Sequence, residues 1–215
     1  MAVKFVLFDL SEDLVDYWKE FFNALVPEQV RDRVTIQHED LKELNGIFDC
    51  IVSPANSFDQ ELSKVLAPAD NPSALTSTAQ KVHAHSYHCG YVALCPTMRM
   101  PFPVDWHKEI VYNTVWSLLV AIDRHNAFSS SLVISPSQFT SALNKTNKES
   151  EVISSVLMTG LATGIGRVPF KTCAKQTVLA FAHCHDAITS STRWSSLHWN
   201  DIERLSLNER LPIDD

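Results

Sequence analysis

The sequence predicts an α/β domain, a three-layer α/β/α sandwich around a central, mixed but mostly parallel sheet of about six strands. Three observations carry this. Apolar runs rich in β-branched and aromatic residues alternate along the chain with segments of helical periodicity. One run, GIFDCIVSP (46–54), is apolar on both sides apart from Asp49, the pattern of a strand buried on both faces. The 215 residues, 45% of them hydrophobic, are long enough for one large domain or two small ones, and a single domain of this size needs neither disulfide nor metal to close its core.

Taken in order, VKFVLFDL (3–10) reads as a strand. SEDLVDYWKEFFNALV (11–26) is a helix capped by Ser11, with Leu14, Trp18, Phe21, Phe22 and Leu25 on one face, ended by Pro27. RVTIQ (33–37) and 46–54 are strands. QELSKVL offers a helical turn or two, and APADNPSALTS is loop-like. CGYVALCP (89–96) is a strand, and 105–126 is the strongest helix, capped by Asp105, with Val111, Val115, Leu118, Leu119 and Ile122 in a stripe. SLVISP (131–136) reads as a strand and NKTNKESE as an exposed loop. VISSVLM (152–158) is a strand, and 170–188 a helix with Ala174, Val178, Phe181 and Ala182 on one stripe. The tail, 188–215, holds two of the five tryptophans and is expected to pack on the body.

The formal net charge of −7 argues against a nucleic-acid partner, since no basic stripe is present to displace counterions. The five cysteines form no CxxC pair and read as free thiols. The N-terminal run is too short and too acidic for a signal peptide or membrane span, so the expected location is cytoplasmic or nuclear.

TGLATGIGRVPF (159–170) concentrates three of the chain's five glycines, Gly160, Gly164 and Gly166, between a strand and a helix that begins near Pro169. Backbone N–H groups in such a loop can hold an anion without a charged side chain. The spacing is neither a Walker A loop nor a Rossmann fingerprint, and a tight structural turn is the alternative. In FDCIVSPANSF (48–58), Asn56 follows a buried strand and Pro54; its amide can grip a sugar diol, or simply cap a helix or close a turn.

Together these segments resemble the macrodomain family, which binds ADP-ribose. DCIVSPANS is similar to that family's DAIVNPAN signature, TGLATGIGRVP to its second phosphate loop, and QHEDLKEL (37–44) to its GDIT segment. ALCPTMRMPFPVDWHKEIVYNTVWSLLVAI resembles the central strand and helix of macro-like proteins of fungi and bacteria, which show PTMRVP here. The likeness covers about residues 34–187 of a single domain spanning 1–215. It implies that Asp40 accepts from the adenine amino group with Leu41 beside it, and that Asn56 contacts the distal ribose. It also implies that the amides of Thr163, Gly164, Ile165 and Gly166 hold the diphosphate. One departure stands out: family members follow PAN with a glycine-rich loop, whereas here the chain reads SFDQELSKVLAPAD, without glycine and with Asp59 and Glu61.

The implied ligand is ADP-ribose or a derivative, free or on an ADP-ribosylated protein, with no further cofactor. The implied reaction, if turnover is kept, is hydrolysis of ADP-ribose 1″-phosphate. The alternative is a degenerate, non-catalytic binding or interaction module. No catalytic set can be matched, although a histidine from 83–88 could face the distal ribose as general base. His83, His85, His88 and Cys89 lack the second half of a structural zinc site, so no metal is expected. Cys50 and Cys184 read as small core residues, and His183 and His185 as partly exposed helix positions.

Overall fold

Alternation shapes the first strand: Phe5 and Leu7 are buried while Val6 between them is half-buried. The computed structural model describes residues 3–41, 43–44, 46–54, 79–80, 89–132 and 152–202. Its elements are β1 (Lys4–Asp9), α1 (Glu12–Leu25), α2 (Glu28–Arg31), β2 (Val34–His38), β3 (Cys50–Ser53), β4 (Ala79–Gln80), β5 (Tyr91–Leu94), α3 (Ile110–Leu132), β6 (Ser155–Met158), α4 (Phe170–Thr189) and α5 (Ser191–Ser195). One sheet runs β2-β1-β6-β3-β5-β4. All pairings are parallel except the last, where the two-residue β4 runs antiparallel to β5. The fold is therefore α/β, with the mostly parallel sheet the sequence predicts.

Register places Phe5, Leu7, Cys50, Val52, Tyr91, Ala93, Val156 and Met158 on one face. These residues share a single core with Leu14, Trp18 and Phe22 of α1, Val111, Val115 and Leu119 of α3, and Ala174, Val178 and Phe181 of α4. All three long helices thus cover the same face. The handedness of crossovers explains it. The chain moves from β1 to β2 and from β5 to β6 in the same direction across the sheet, and right-handed connections in one direction use one face. The step from β2 to β3 runs the opposite way, so the 39–49 segment crosses the other face. There Leu41, Leu44 and Phe48 line a small apolar hollow against Ile51 and Leu157.

Ser11 caps α1 as expected, its Oγ accepting from the Leu14 N–H at 3.4 Å. Leu25, assigned to the buried stripe, is 41% exposed. It is the last helical residue, and the chain turns extended at Val26, which is buried in its place. The expected strand 46–54 pairs only over Cys50–Ser53. Its one charged residue acts just before the ladder: the Asp49 carboxylate accepts from the N–H groups of Ser154 and Ser155 at 2.8 and 2.9 Å and from the Ser155 hydroxyl at 3.1 Å. Asp49 therefore fixes β3 against β6.

The central helix differs from expectation at both ends. It starts at Ile110, not Asp105, because its first amides are capped from another helix. Gln176 of α4 accepts from Val111 and Tyr112 N–H, both at 3.1 Å, while its Nε2 donates to the Lys108 carbonyl at 2.6 Å. The helix runs on past 126 to Leu132, so Ser131 and Leu132 of the expected strand 131–136 are helical. Neither Gly nor Pro interrupts the sequence from 104 to 135. Asn126 then clamps the helix to the lead-in of β6, its Nδ2 donating to the Ile153 carbonyl and its Oδ1 accepting from the Ile153 N–H, both at 2.8 Å. The remainder of that run, the NKTNKESE stretch, all of 55–78 and the His83, His85 and His88 cluster lie outside the described residues.

After α4 the tail docks partly. Trp194 stacks on Trp116 with ring centroids 5.7 Å apart, and its Nε1–H donates to Asp186 at 2.9 Å. That bond comes first among the causes that hold the Asp186 carboxyl below its usual range. Trp199 is 84% exposed.

Candidate functional site

In an open parallel sheet, ligands bind beyond the carboxyl ends of the strands where the direction of winding reverses. Here the chain leaves β1 toward β2 at one edge and leaves β3 toward the opposite edge. The gap between them holds β6, whose outgoing segment is the glycine-rich 159–169. Topology alone thus places the glycine cluster at the reversal.

Asp9, at the end of β1, organises this region. Its carboxylate accepts from Ser11 N–H at 3.0 Å, Thr159 Oγ1–H at 3.0 Å and Gly160 N–H at 3.2 Å. Its carbonyl accepts from Glu39 N–H at 3.2 Å, and His38 Nε2 lies 3.0 Å from the Leu10 carbonyl oxygen. The loops after β1, β2 and β6 are therefore tied to one residue. Sequence reasoning missed Asp9; its only signal was a carboxylate at the end of an otherwise apolar strand.

The three glycines differ in what they do, and none has a positive φ. At Gly160 a Cβ would lie 2.5 Å from Leu14 Cδ2 and 3.0 Å from the Asp9 carboxylate. At Gly166 it would lie 2.5 Å from the Ala162 carbonyl oxygen and 2.9 Å from the Ala162 Cβ. Side chains crowd the first position and the Ala162 backbone crowds the second. The left-handed positions of the loop are carried instead by Ala162 (φ 60°) and Arg167 (φ 57°). Such conformations cost non-glycine residues of order 1 kcal/mol each and cluster at binding sites. At Gly164 a Cβ would meet nothing within 4 Å. Among the described residues neither strain nor crowding accounts for glycine there.

The loop's hydrogen bonds are one-sided. The carbonyls of Ala162, Gly164 and Gly166 accept from Val168, Arg167 and Val104 N–H at 3.0, 3.0 and 2.8 Å, and that of Leu161 from the Cys173 thiol at 3.4 Å. Among the described residues, the N–H groups of Thr163, Gly164, Ile165 and Gly166 donate to nothing. Gly164 and Ile165 are exposed and Thr163 is half-buried. α4 then opens at Phe170, with Pro169 as its N-cap residue (φ −58°), one position earlier than a first-turn proline.

Asp40 and Leu41 follow β2, two strands from β6, so roughly 10 Å separates the two segments along the same end of the sheet. Both are half-buried; the Asp40 carbonyl accepts from Glu43 and Leu44 N–H at 2.9 and 3.2 Å, and Leu41 lines the hollow on the second face. Asn56 lies outside the described residues; the described chain reaches Pro54 at the end of β3. The sequence-predicted residues Asp40, Leu41, Thr163, Gly164, Ile165 and Gly166 thus occupy one end of the sheet.

The thiols at this end are poor nucleophiles. Burial pushes Cys95, just past β5, and Cys173, in the first turn of α4, up to about 12. Cys50, also about 12, and Cys184, about 11, are core residues, as expected of small side chains in a buried strand and a helix. His183 is held below the ordinary imidazole range by burial and accepts or donates to Tyr112 Oη at 3.0 Å. Among the described residues no cluster of three acidic, His or Cys side chains could hold a metal ion, and no helix is long and apolar enough to cross a membrane.

The class defined here is an α/β protein whose parallel sheet presents a run of unused amides at its winding reversal. The chain matches no protein-family model, and no curated protein matches it.

Proposed function

We propose that this is a macrodomain-like protein that binds ADP-ribose or a derivative, the diphosphate resting on the amides of Thr163, Gly164, Ile165 and Gly166. The observation that carries the reading is the one-sided loop. The carbonyls of Leu161, Ala162, Gly164 and Gly166 are spent internally while the four successive donors of 163–166 are left over, at a glycine whose added Cβ would meet nothing among the described residues. An acidic protein can hold an anion only with such local groups. Asp40 accepts from the adenine amino group, Leu41 lies against the base, and Asn56 holds the distal ribose. The finer architecture belongs to the same reading: a three-layer sandwich, with a second helical layer over the face crossed by 39–49. So does an ADP-ribosylated protein as a partner, in the cytoplasm or nucleus.

Calorimetry with ADP-ribose, with ATP as control, tests binding. Heat with ADP-ribose alone, abolished by Gly164→Asp, is expected; intact affinity in that variant would remove the phosphate cradle.

A second reading, a non-catalytic module that keeps the fold and has lost turnover, is favoured by the absence of glycine after PAN and by the unreactive thiols near the loop. Phosphate release from ADP-ribose 1″-phosphate separates the two. Turnover requires a positioned water and a base near Asn56, with the amides of 163–166 stabilising the phosphate charge.

A further inference from the structure

Thr97 is 3% exposed, and among the described residues its hydroxyl has no hydrogen-bond partner. Buried polar groups are satisfied in the great majority of native structures, so each exception asks for a partner the protein does not supply. The other such atom among the described residues, Trp18 Nε1, belongs to a fully buried side chain midway along α1, packed in the core. Thr97 is placed differently. It lies three residues beyond β5, at the carboxyl end of the sheet.

The surrounding span is anchored at both ends. Cys95 N–H donates to the Ser53 carbonyl at 3.0 Å, and Val104 N–H donates to the Gly166 carbonyl at 2.8 Å. Residues 96–104 therefore pass from the end of β5 to the glycine loop after β6, and β3 lies between those two strands. Thr97 sits at the β5 side of that crossing. Asp40 is at the opposite extreme, after β2, four strand spacings away, or roughly 19 Å.

Resting on the ADP-ribose reading, we propose that Thr97 is a ligand-binding residue, its hydroxyl pairing with a hydroxyl of the ribose that lies beyond the diphosphate, the end remote from Asp40. A hydroxyl both donates and accepts, which suits a sugar hydroxyl of either role. With adenine by Asp40 and phosphates on 163–166, the ligand reaches β3 and β5 with its terminal sugar. Contact requires a small outward shift of 96–104, whose middle residues Arg99, Met100, Pro101 and Phe102 are exposed.

The test compares the intact chain with Thr97→Val and Thr97→Ser, titrating each with ADP-ribose and with ADP, which lacks the terminal ribose. Thr97→Val keeps the shape and removes the orphan. Its unliganded Tm should rise by about 2–4 °C. Its Kd for ADP-ribose should weaken roughly 10-fold while its Kd for ADP is unchanged, and Thr97→Ser should restore ADP-ribose binding. Equal Kd values for ADP-ribose in wild type and Thr97→Val, or an equal loss for ADP, would overturn the assignment and leave the ADP-ribose reading standing. A lower Tm in Thr97→Val would mean the hydroxyl has a structural partner, which also overturns it. If wild type binds neither ligand, the ADP-ribose reading fails and takes the Thr97 role with it.

Discussion

A single methyl group added at Gly166 should destabilise this protein, and the same methyl at Gly164 should not. At Gly166 the new Cβ would stand 2.5 Å from the Ala162 carbonyl oxygen and 3.0 Å from the Ala162 Cα. These are backbone atoms, so no rotamer change relieves the contact. Ala162 already holds φ 60°, and its carbonyl accepts from Val168 N–H. Opening the loop sacrifices that bond, worth about 1 kcal/mol, on top of an overpacking cost of about 1–3 kcal/mol. The sum is about 2–4 kcal/mol, and near 3 kcal/mol it corresponds to a Tm drop of roughly 6–12 °C for a chain of this size. At Gly164 nothing lies within 4 Å and φ is not positive, so Ala there is neutral or stabilises by about 0.5–1 kcal/mol through the unfolded chain. Urea unfolding followed by tryptophan fluorescence, with calorimetry against ADP-ribose, reads both effects. Gly164→Ala should keep its stability and lose affinity; Gly166→Ala should lose stability. A Gly166→Ala protein as stable as wild type, or a Gly164→Ala protein more than about 1.5 kcal/mol weaker, would refute the loop geometry.

Asp9→Ala removes acceptors from Ser11, Thr159 and Gly160 together and leaves the buried Gly160 amide unpaired; it should cost about 2–4 kcal/mol and broaden the loop amide signals of 159–166 in NMR spectra. If Asp9→Ala is neutral, the three loops are not coupled through it. The raised thiols set a reactivity pattern: at pH 8 a disulfide reagent should modify at most Cys89 promptly, half-buried and raised less, with five equivalents released in denaturant. They also set a pH dependence. Because folding raises the thiol pKa of Cys50, Cys95 and Cys173 from 9.0 to about 12, their contribution is fully present below pH 9. It is lost as pH rises from 9 toward 12, by up to about 1.4 kcal/mol per thiol per pH unit. Stability that holds level between pH 9 and 11 would contradict that burial.

Much of this was legible because it was local. Apolar runs marked β1 and β6, Ser11 announced its helix, and the clustering of Gly160, Gly164 and Gly166 located the loop. What escaped depends on partners far along the chain. Gln176 caps a helix whose first turn is 65 residues earlier, and nothing in the sequence around Asp105 foretells that. Asp9 reaches Thr159 across 150 residues. The glycines marked a tight loop, but what each one does there was not legible. Glycine-rich loops suggest left-handed backbone, yet Ala162 and Arg167 adopt it, while Gly160 and Gly166 are demanded by neighbours visible only once the chain is folded. The length of α3 escaped for a related reason: the Asn126 clamp that holds it to Ile153 spans 27 residues.

The placement of β1 between β2 and β6 has a consequence for biosynthesis. On one side its hydrogen-bonding edge is filled promptly by β2, but on the other it waits for residues near 155. A ribosome adding about 5–20 residues per second leaves that edge open for roughly 8–30 s. Throughout that interval the nascent chain carries an apolar, unpaired strand, so early recruitment of a holding chaperone, and aggregation when synthesis stalls before β6, are built into the order in which the sheet is wound.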